Sequence, residues 1–303
     1  MKVCVSIALL LIGVSFGIPA HAQVARKLLP RTINVPTYDH FCPQTTADGQ
    51  EMIFLSTYSN TGLPTLRYTR KSGSGWTVPE DITGLFKAEL DMATGCGWSY
   101  DGQTMVISSR RAPGIGGYDL WISERRGQSN FGAPVNLGKP VNSTSHDAAP
   151  YLSADGKTLV FMRCQEASRF SANGCSLYIT TKSGGRWAEP TQLPAAINKG
   201  NSQYPKLLAD GNTLYFSSDR HGGKGGMELM MCRRCGGSWS TPVLLDFLND
   251  GEDNTFVSVP GTGDVAVYSG KYRGEKRLIM AKIPEVYQPN KVYLIKGQVG
   301  LAD

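Results

Sequence analysis

The chain predicts an all-β protein, a β-propeller of about five four-stranded blades, with six blades as the alternative. Two independent landmarks carry that prediction. Asp-Gly turn pairs stand at Asp48-Gly49, Asp101-Gly102, Asp155-Gly156 and Asp210-Gly211, spaced by 53, 54 and 55 residues. An aromatic followed three places later by proline recurs at Trp76/Pro79, Phe131/Pro134, Trp187/Pro190 and Trp239/Pro242, spaced by 55, 56 and 52 residues. A constant period filled with short β-branched and aromatic runs reads as successive blades. Composition agrees, because 35 Gly and 17 Pro in 303 residues suit many tight turns and few helices.

Residues 1–22 read as a secretory signal. Lys2 supplies the positive end, 5–16 form the apolar stretch, and Ala20-His21-Ala22 places small residues before a cleavage point at Gln23. The stretch is too short to span a bilayer comfortably, and Cys4 precedes it, so no lipoprotein acceptor site is expected. Residues 23–37 form an N-terminal segment in which 32–36 is the preferred ring-closing strand, with 292–299 as the rival. A ring must close because an open end leaves unpaired strand edges. The propeller is expected over 38–288 and a tail over 289–303.

Within the ring, blade one is read as strands at 41–45, 51–56, 65–70 and 76–82. Blade two follows at 96–99, 104–108, 118–123 and 131–137. Blade three takes 149–153, 158–162, 177–181 and 187–193, with Pro190 tolerated on an outer strand. Blade four takes 204–208, 213–217, 227–231 and 239–245. Blade five is degenerate, with strands at 255–259, 265–269 and 277–283. The Asp-Gly pairs are expected to supply the positive φ angles of tight hairpin turns. The Trp and Phe marks are read as packing between blades.

Six cysteines remain after cleavage, and an even count in an exported chain points to disulfides. Repeat register pairs Cys42 with Cys96, Cys164 with Cys175 and Cys232 with Cys235. Connectivity stays open at this point, and Cys232-x-x-Cys235 could instead be a reactive dithiol or half of a zinc site. With no second such pair and no nearby His, no metal and no cofactor is expected. The net charge of +6, or +5 once Lys2 leaves, is mild and does not by itself indicate nucleic acid, so no nucleic-acid partner is expected. No later segment is long and apolar enough for stable membrane insertion, so the protein is expected in the periplasm or outside the cell.

The segment Pro150-Tyr151-Leu152-Ser153-Ala154-Asp155-Gly156-Lys157-Thr158-Leu159-Val160-Phe161 resembles the WD40-like PD40 repeat of TolB-type propellers. Residues 108–142, and the loop 217–229, look like the form found in outer-membrane proteins that join such a propeller to an OmpA-type peptidoglycan-binding domain. The resemblance covers roughly 38–285. Residues 289–299 look like the start of the linker that follows the propeller in that family, and the peptidoglycan-binding domain itself is not expected here. The resemblance implies a binding scaffold of the cell envelope.

Candidate site residues lie where loops gather at the channel mouth. Asp39, Asp91, Asp147, Gln203 and Asp253 precede the first strands. Together they would ring the mouth with charge able to hold a cation or a basic segment; separately each would cap its own loop. Arg110, Arg111, Arg220 and His221, with Arg163, Arg169 and Lys224, would form a basic rim for an acidic protein or a glycan, or stand as solvated loop charges. Asn142, Asn198 and Asn249 recur after the aromatic mark and are read as turn residues with left-handed backbone. The Gly-rich stretches precede strands rather than helices, so they are not phosphate loops. No catalytic residue is singled out. The functional expectation is an exported, non-enzymatic scaffold whose partner is an envelope protein. The alternative is a carbohydrate-active enzyme or lectin, since five-bladed propellers can house glycosidases built on two carboxylates.

Overall fold

The structure, a computed structural model, describes residues 24–58, 64–85, 95–168, 171–220 and 226–289, with the backbone of Val292–Ile295 and Gln298–Leu301 beyond them. Five small antiparallel sheets form a five-bladed propeller. Blade one comprises His40–Thr45, Glu51–Ser56 and Thr65–Ser72, edged by Gly75–Trp76 and Glu80–Asp81. Blade two comprises Cys96–Trp98, Thr104–Ser109, Asp119–Glu124 and Val135–Asn136. Blade three comprises His146–Leu152, Thr158–Ala167 and Ala172–Ser183, edged by Arg186–Trp187 and Thr191–Gln192. Blade four comprises Ser202–Leu207, Thr213–Ser218 and Glu228–Cys235, edged by Ser238–Trp239 and Val243–Leu244. The outer strands are short because each is broken at its proline, which offers no N–H to a ladder.

Blade five joins the two ends of the propeller. Thr255–Ser258, Val265–Tyr272 and Glu275–Lys282 come from the C-terminal part, and Arg26–Leu28 pairs antiparallel with Glu275–Lys282 as the outermost strand. The segment 32–36 is therefore not the closing strand. Pro30 ends the strand, and its carbonyl accepts from the N–H groups of Ile33 and Asn34 at 2.9 Å each, folding the chain into a turn. Val292–Ile295 and Gln298–Leu301 pair with each other as a hairpin.

The Asp-Gly turns differ in detail from the expected hairpin. Only the glycines take left-handed backbone, with φ of 65°, 69°, 68° and 64° at Gly49, Gly102, Gly156 and Gly211. In the first three, a Thr or Ser hydroxyl two places before the Asp donates to its carboxylate at 2.6 Å. The same carboxylate oxygen accepts from the N–H two places on, at 2.9–3.0 Å. In blade four Leu208 replaces the hydroxyl residue, and Asp210 turns instead to the N–H and hydroxyl of Thr213.

Apolar side chains fill the space between blades. Ile53, Leu55 and Tyr68 of blade one meet Trp98, Met105 and Trp121 of blade two, all buried. Each such side chain contributes roughly 1.5–3 kcal/mol on burial. Of the aromatic marks, Phe131 is buried in this cluster. Trp76, Trp187 and Trp239 pack half-buried against neighbouring apolar clusters. Among the described residues no helix is long and apolar enough to cross a membrane.

The recurring asparagines are not left-handed turn residues. Asn142 accepts from the N–H of Leu120 at 2.8 Å and donates to its carbonyl at 3.1 Å, so the amide stands in for a paired strand residue. Asn198 does the same to Leu177, and Asn249 to Leu229. Asn34 completes the pattern on Leu278 of blade five from the other end of the chain. Thr83 serves Leu66 in blade one with one bond only. Loss of the amide strands two buried backbone groups, each worth about 1–3 kcal/mol when unsatisfied. Asn249→Ala is therefore expected to lower stability by about 2 kcal/mol in urea unfolding, and a change below about 0.5 kcal/mol would refute the role.

One expected disulfide is present. Cys164 and Cys175 face each other across the hairpin of blade three with an S–S distance of 2.04 Å. The other two pairs do not form. Cys42 and Cys96, on inner strands of adjacent blades, are buried thiols whose sulfurs lie 3.8 Å apart. Cys232 is also a buried thiol. It shares one strand with Cys235, and three positions along a strand put two side chains on opposite faces.

Candidate functional site

The innermost strands meet around the central channel, and four of the five break their ladder at the same place. Register shifts fall between Phe41 and Gln44, Ala148 and Tyr151, Gln203 and Lys206, and Thr255 and Ser258. The residue at each break takes positive φ: Cys42 at 53°, Ala149 at 46°, Tyr204 at 52° and Phe256 at 51°, with Gly95 at 62° in blade two. Such angles cost non-glycine residues on the order of 1–3 kcal/mol each and persist only where the surroundings impose them. Proline follows at Pro43, Pro150 and Pro205, where a bulge removes the need for an N–H.

All five positions, with Gln44, line the centre of the channel. The Tyr204 and Phe256 rings lie with centroids 3.7 Å apart. Cys42, Gln44, Cys96, Tyr204 and Phe256 border a cavity of about 10 Å³, room for about one water. Beside this lies Lys206, 1% exposed. Its ammonium donates to Gln44 Oε1 at 3.2 Å and stands 3.8 Å from the centroid of the Tyr151 ring and 5.1 Å from that of Tyr100. Burial pulls its pKa from 10.5 down to about 7. The same burial pushes the phenols of Tyr100 and Tyr151 above their ordinary values. Burial also opposes ionisation of Cys42, but hydrogen bonds from Cys96 and Gln44, together with the Lys206 charge, outweigh it and hold this thiol below its ordinary value.

The sequence-predicted mouth ring is not assembled from the described residues. Asp39 accepts from the N–H of Lys276 at 2.7 Å, and Asp253 from the N–H of Met227 at 2.8 Å. Asp147 is fully buried, accepting from Arg163 Nε at 2.6 Å and from both the N–H and hydroxyl of Ser143. Burial raises its pKa in spite of those partners. Gln203 donates to the Ala172 carbonyl at 2.6 Å. Each side chain caps a different loop, the local reading of these residues. Asp91 lies outside the described residues.

The basic rim is likewise engaged. Arg110 donates to the Ala167 carbonyl at 2.7 Å and covers the Tyr118 ring at 4.3 Å. Arg111 lies over Trp121 at 5.3 Å, and burial lowers its pKa. Arg220 donates to the carbonyls of Ala196 and Ile197 and covers Phe216. These arginines tie loops to strands. His221 lies outside the described residues.

Sequence reasoning missed Lys206, Gln44, Tyr204 and Phe256 as channel residues. The legible signal was the proline after the inner-strand residue, at positions 43, 150 and 205, which marks the bulge in three of five blades.

No protein-family model matches the chain, and no curated protein matches it. Solved structures do resemble it. TolB from Acinetobacter baumannii is 15% identical over 82% of this chain and 55% of its own, with a TM-score of 0.47. The chain thus spans about half the length of that protein. A thermostable family-43 glycoside hydrolase is 11% identical over 88% of this chain and 94% of its own, with a TM-score of 0.53. A xylan beta-1,4-xylosidase from Bacillus halodurans C-125 is 12% identical over 88% of this chain and 56% of its own, with a TM-score of 0.54. At such identities the two glycosidase likenesses show the fold alone.

Proposed function

We propose that the protein is an exported, non-enzymatic binding scaffold whose partner is another protein of the cell envelope. The observation that carries this reading is the filled channel. Tyr204, Phe256 and the inner strands around them leave room at its centre for about one water, too little for a sugar ring. Hydrolysis of a glycoside calls for two carboxylates about 5–10 Å apart across the bond to be cut. Here Asp39, Asp147 and Asp253 are each engaged by a different loop. The Cys164–Cys175 disulfide fits an oxidising compartment, in keeping with the signal-like segment. Among the described residues, capped carboxylates and anchored arginines hold loops against the strands, and surfaces held in place bind with little ordering cost.

The purified chain, incubated with aryl xylosides, aryl arabinofuranosides and plant polysaccharides, is expected to release no sugar above buffer. Immobilised, it is expected to retain a protein from envelope extract. Sugar release that falls by orders of magnitude in Asp147→Asn or Asp253→Asn would overturn the scaffold in favour of the carbohydrate-active alternative. Retention of oligosaccharide without protein would favour a lectin.

A further inference from the structure

We propose that Cys42 and Cys96 form a binding site for one copper(I) ion at the centre of the propeller, with Lys206 as the counter-charge of the bound complex. Three observations point there, of which the thiol pair is independent of the scaffold reading. The two sulfurs lie 3.8 Å apart. A metal–sulfur bond of about 2.3 Å on each side spans at most about 4.6 Å, so one ion reaches both without moving the strands. Both cysteines border the cavity of about 10 Å³, room for about one water. Lys206 is buried and has no carboxylate partner among the described residues. It is a cation enclosed beside a pair of thiols.

Charge and ligand number select the metal. Two thiols that bind copper(I) release two protons to solvent and give a complex of charge −1, which the Lys206 ammonium neutralises. Copper(I) is soft, prefers thiolate, and is satisfied by a pair of them. Zinc in a structural site takes four ligands, and among the described residues no third His, Cys, Asp or Glu joins the pair. Gln44, which accepts from Lys206, holds the ammonium in place.

The test uses the full exported chain, kept anaerobic and offered copper(I) as its glutathione complex against bicinchoninate as competitor. One equivalent is expected to bind. Cys42→Ser and Cys96→Ser are each expected to weaken binding at least 100-fold. Cys232→Ser should leave it unchanged, and Lys206→Met should weaken it about 10-fold, as loss of a partner outside the ligand shell does. Absence of uptake while both thiols titrate as free overturns the site, as does a Cys42–Cys96 disulfide in the isolated protein. Uptake unchanged in the double serine variant overturns it too. Should the serine variants not fold, X-ray absorption of the loaded wild-type chain decides. Two sulfur neighbours support the site, and nitrogen or oxygen neighbours alone overturn it.

Discussion

Lys206→Met is expected to make the metal-free protein more stable at neutral pH and to flatten its stability across pH 7–10. The reason is the enclosed ammonium. Burial lowers its pKa from 10.5 in the unfolded chain to about 7 in the fold. Between those values the unfolded chain binds the extra proton and the fold does not, so stability rises with pH through that window. At and below pH 7 the fold must carry the charge inside, and the full cost applies. At about 1.36 kcal/mol per pH unit the ceiling is about 5 kcal/mol. Methionine keeps the apolar stem and removes the charge, and replacing buried charge by apolar volume is commonly stabilising. Above pH 10 the buried phenols of Tyr100, Tyr204 and Tyr215, all pushed above their ordinary values, act in the opposite sense in both proteins. The readout is therefore the difference between wild type and variant in urea midpoint from pH 6 to 10. A constant difference across that range would mean that Lys206 does not titrate in the fold as argued.

A residue that lowers stability in this way, at the middle of a ring that spacing alone reveals, shows where sequence reading reaches and where it stops. The turns were legible because their chemistry repeats. Asp48, Asp101, Asp155 and Asp210 all accept from the backbone two residues on, so the same residue types recur. The channel was not, because what repeats there is a backbone angle. Cys42, Gly95, Ala149, Tyr204 and Phe256 share positive φ and nothing else. Attention fell instead on the acidic residues just before them, which do repeat loosely because each inner strand needs a loop cap. Ring closure was half legible. A three-residue strand such as Arg26–Leu28 is too short to show alternation, but Asn34, once the role of Asn142, Asn198 and Asn249 is known, places this segment on blade five. The cysteines divide similarly. Cys164 and Cys175 lie opposite each other on paired strands of one blade, whereas Cys42 and Cys96 depend on how two blades meet, which no spacing along the chain encodes.

The meeting of blades two and three supplies the second large effect. Gly97 stands two residues after Gly95, the left-handed residue of blade two, where the other blades present Gln44, Tyr151, Lys206 and Ser258. A Cβ at Gly97 would lie 2.2 Å from the Pro150 carbonyl oxygen, 2.9 Å from its carbon and 3.2 Å from Tyr151 Cα. These are backbone atoms of the next inner strand, so no rotamer change relieves the clash, and a closed ring leaves blade three no free direction in which to retreat. Gly97→Ala is expected to cost about 3 kcal/mol, the upper end of what overpacking does. Gly156→Ala is the control, since it places a Cβ in open space at φ of 68°, and the backbone angle alone costs about 1–2 kcal/mol. The two also differ in what they move. Tyr151 carries the ring beneath the Lys206 ammonium, so displacing its backbone should disturb the lysine as well as the packing, whereas the Gly156 turn lies outside the channel. Gly97→Ala is thus expected to change the pH dependence of stability between 7 and 10 while Gly156→Ala shifts the whole curve without changing its shape. Equal urea midpoints for the two variants would show that the inner strands are not in the close backbone contact on which the channel depends.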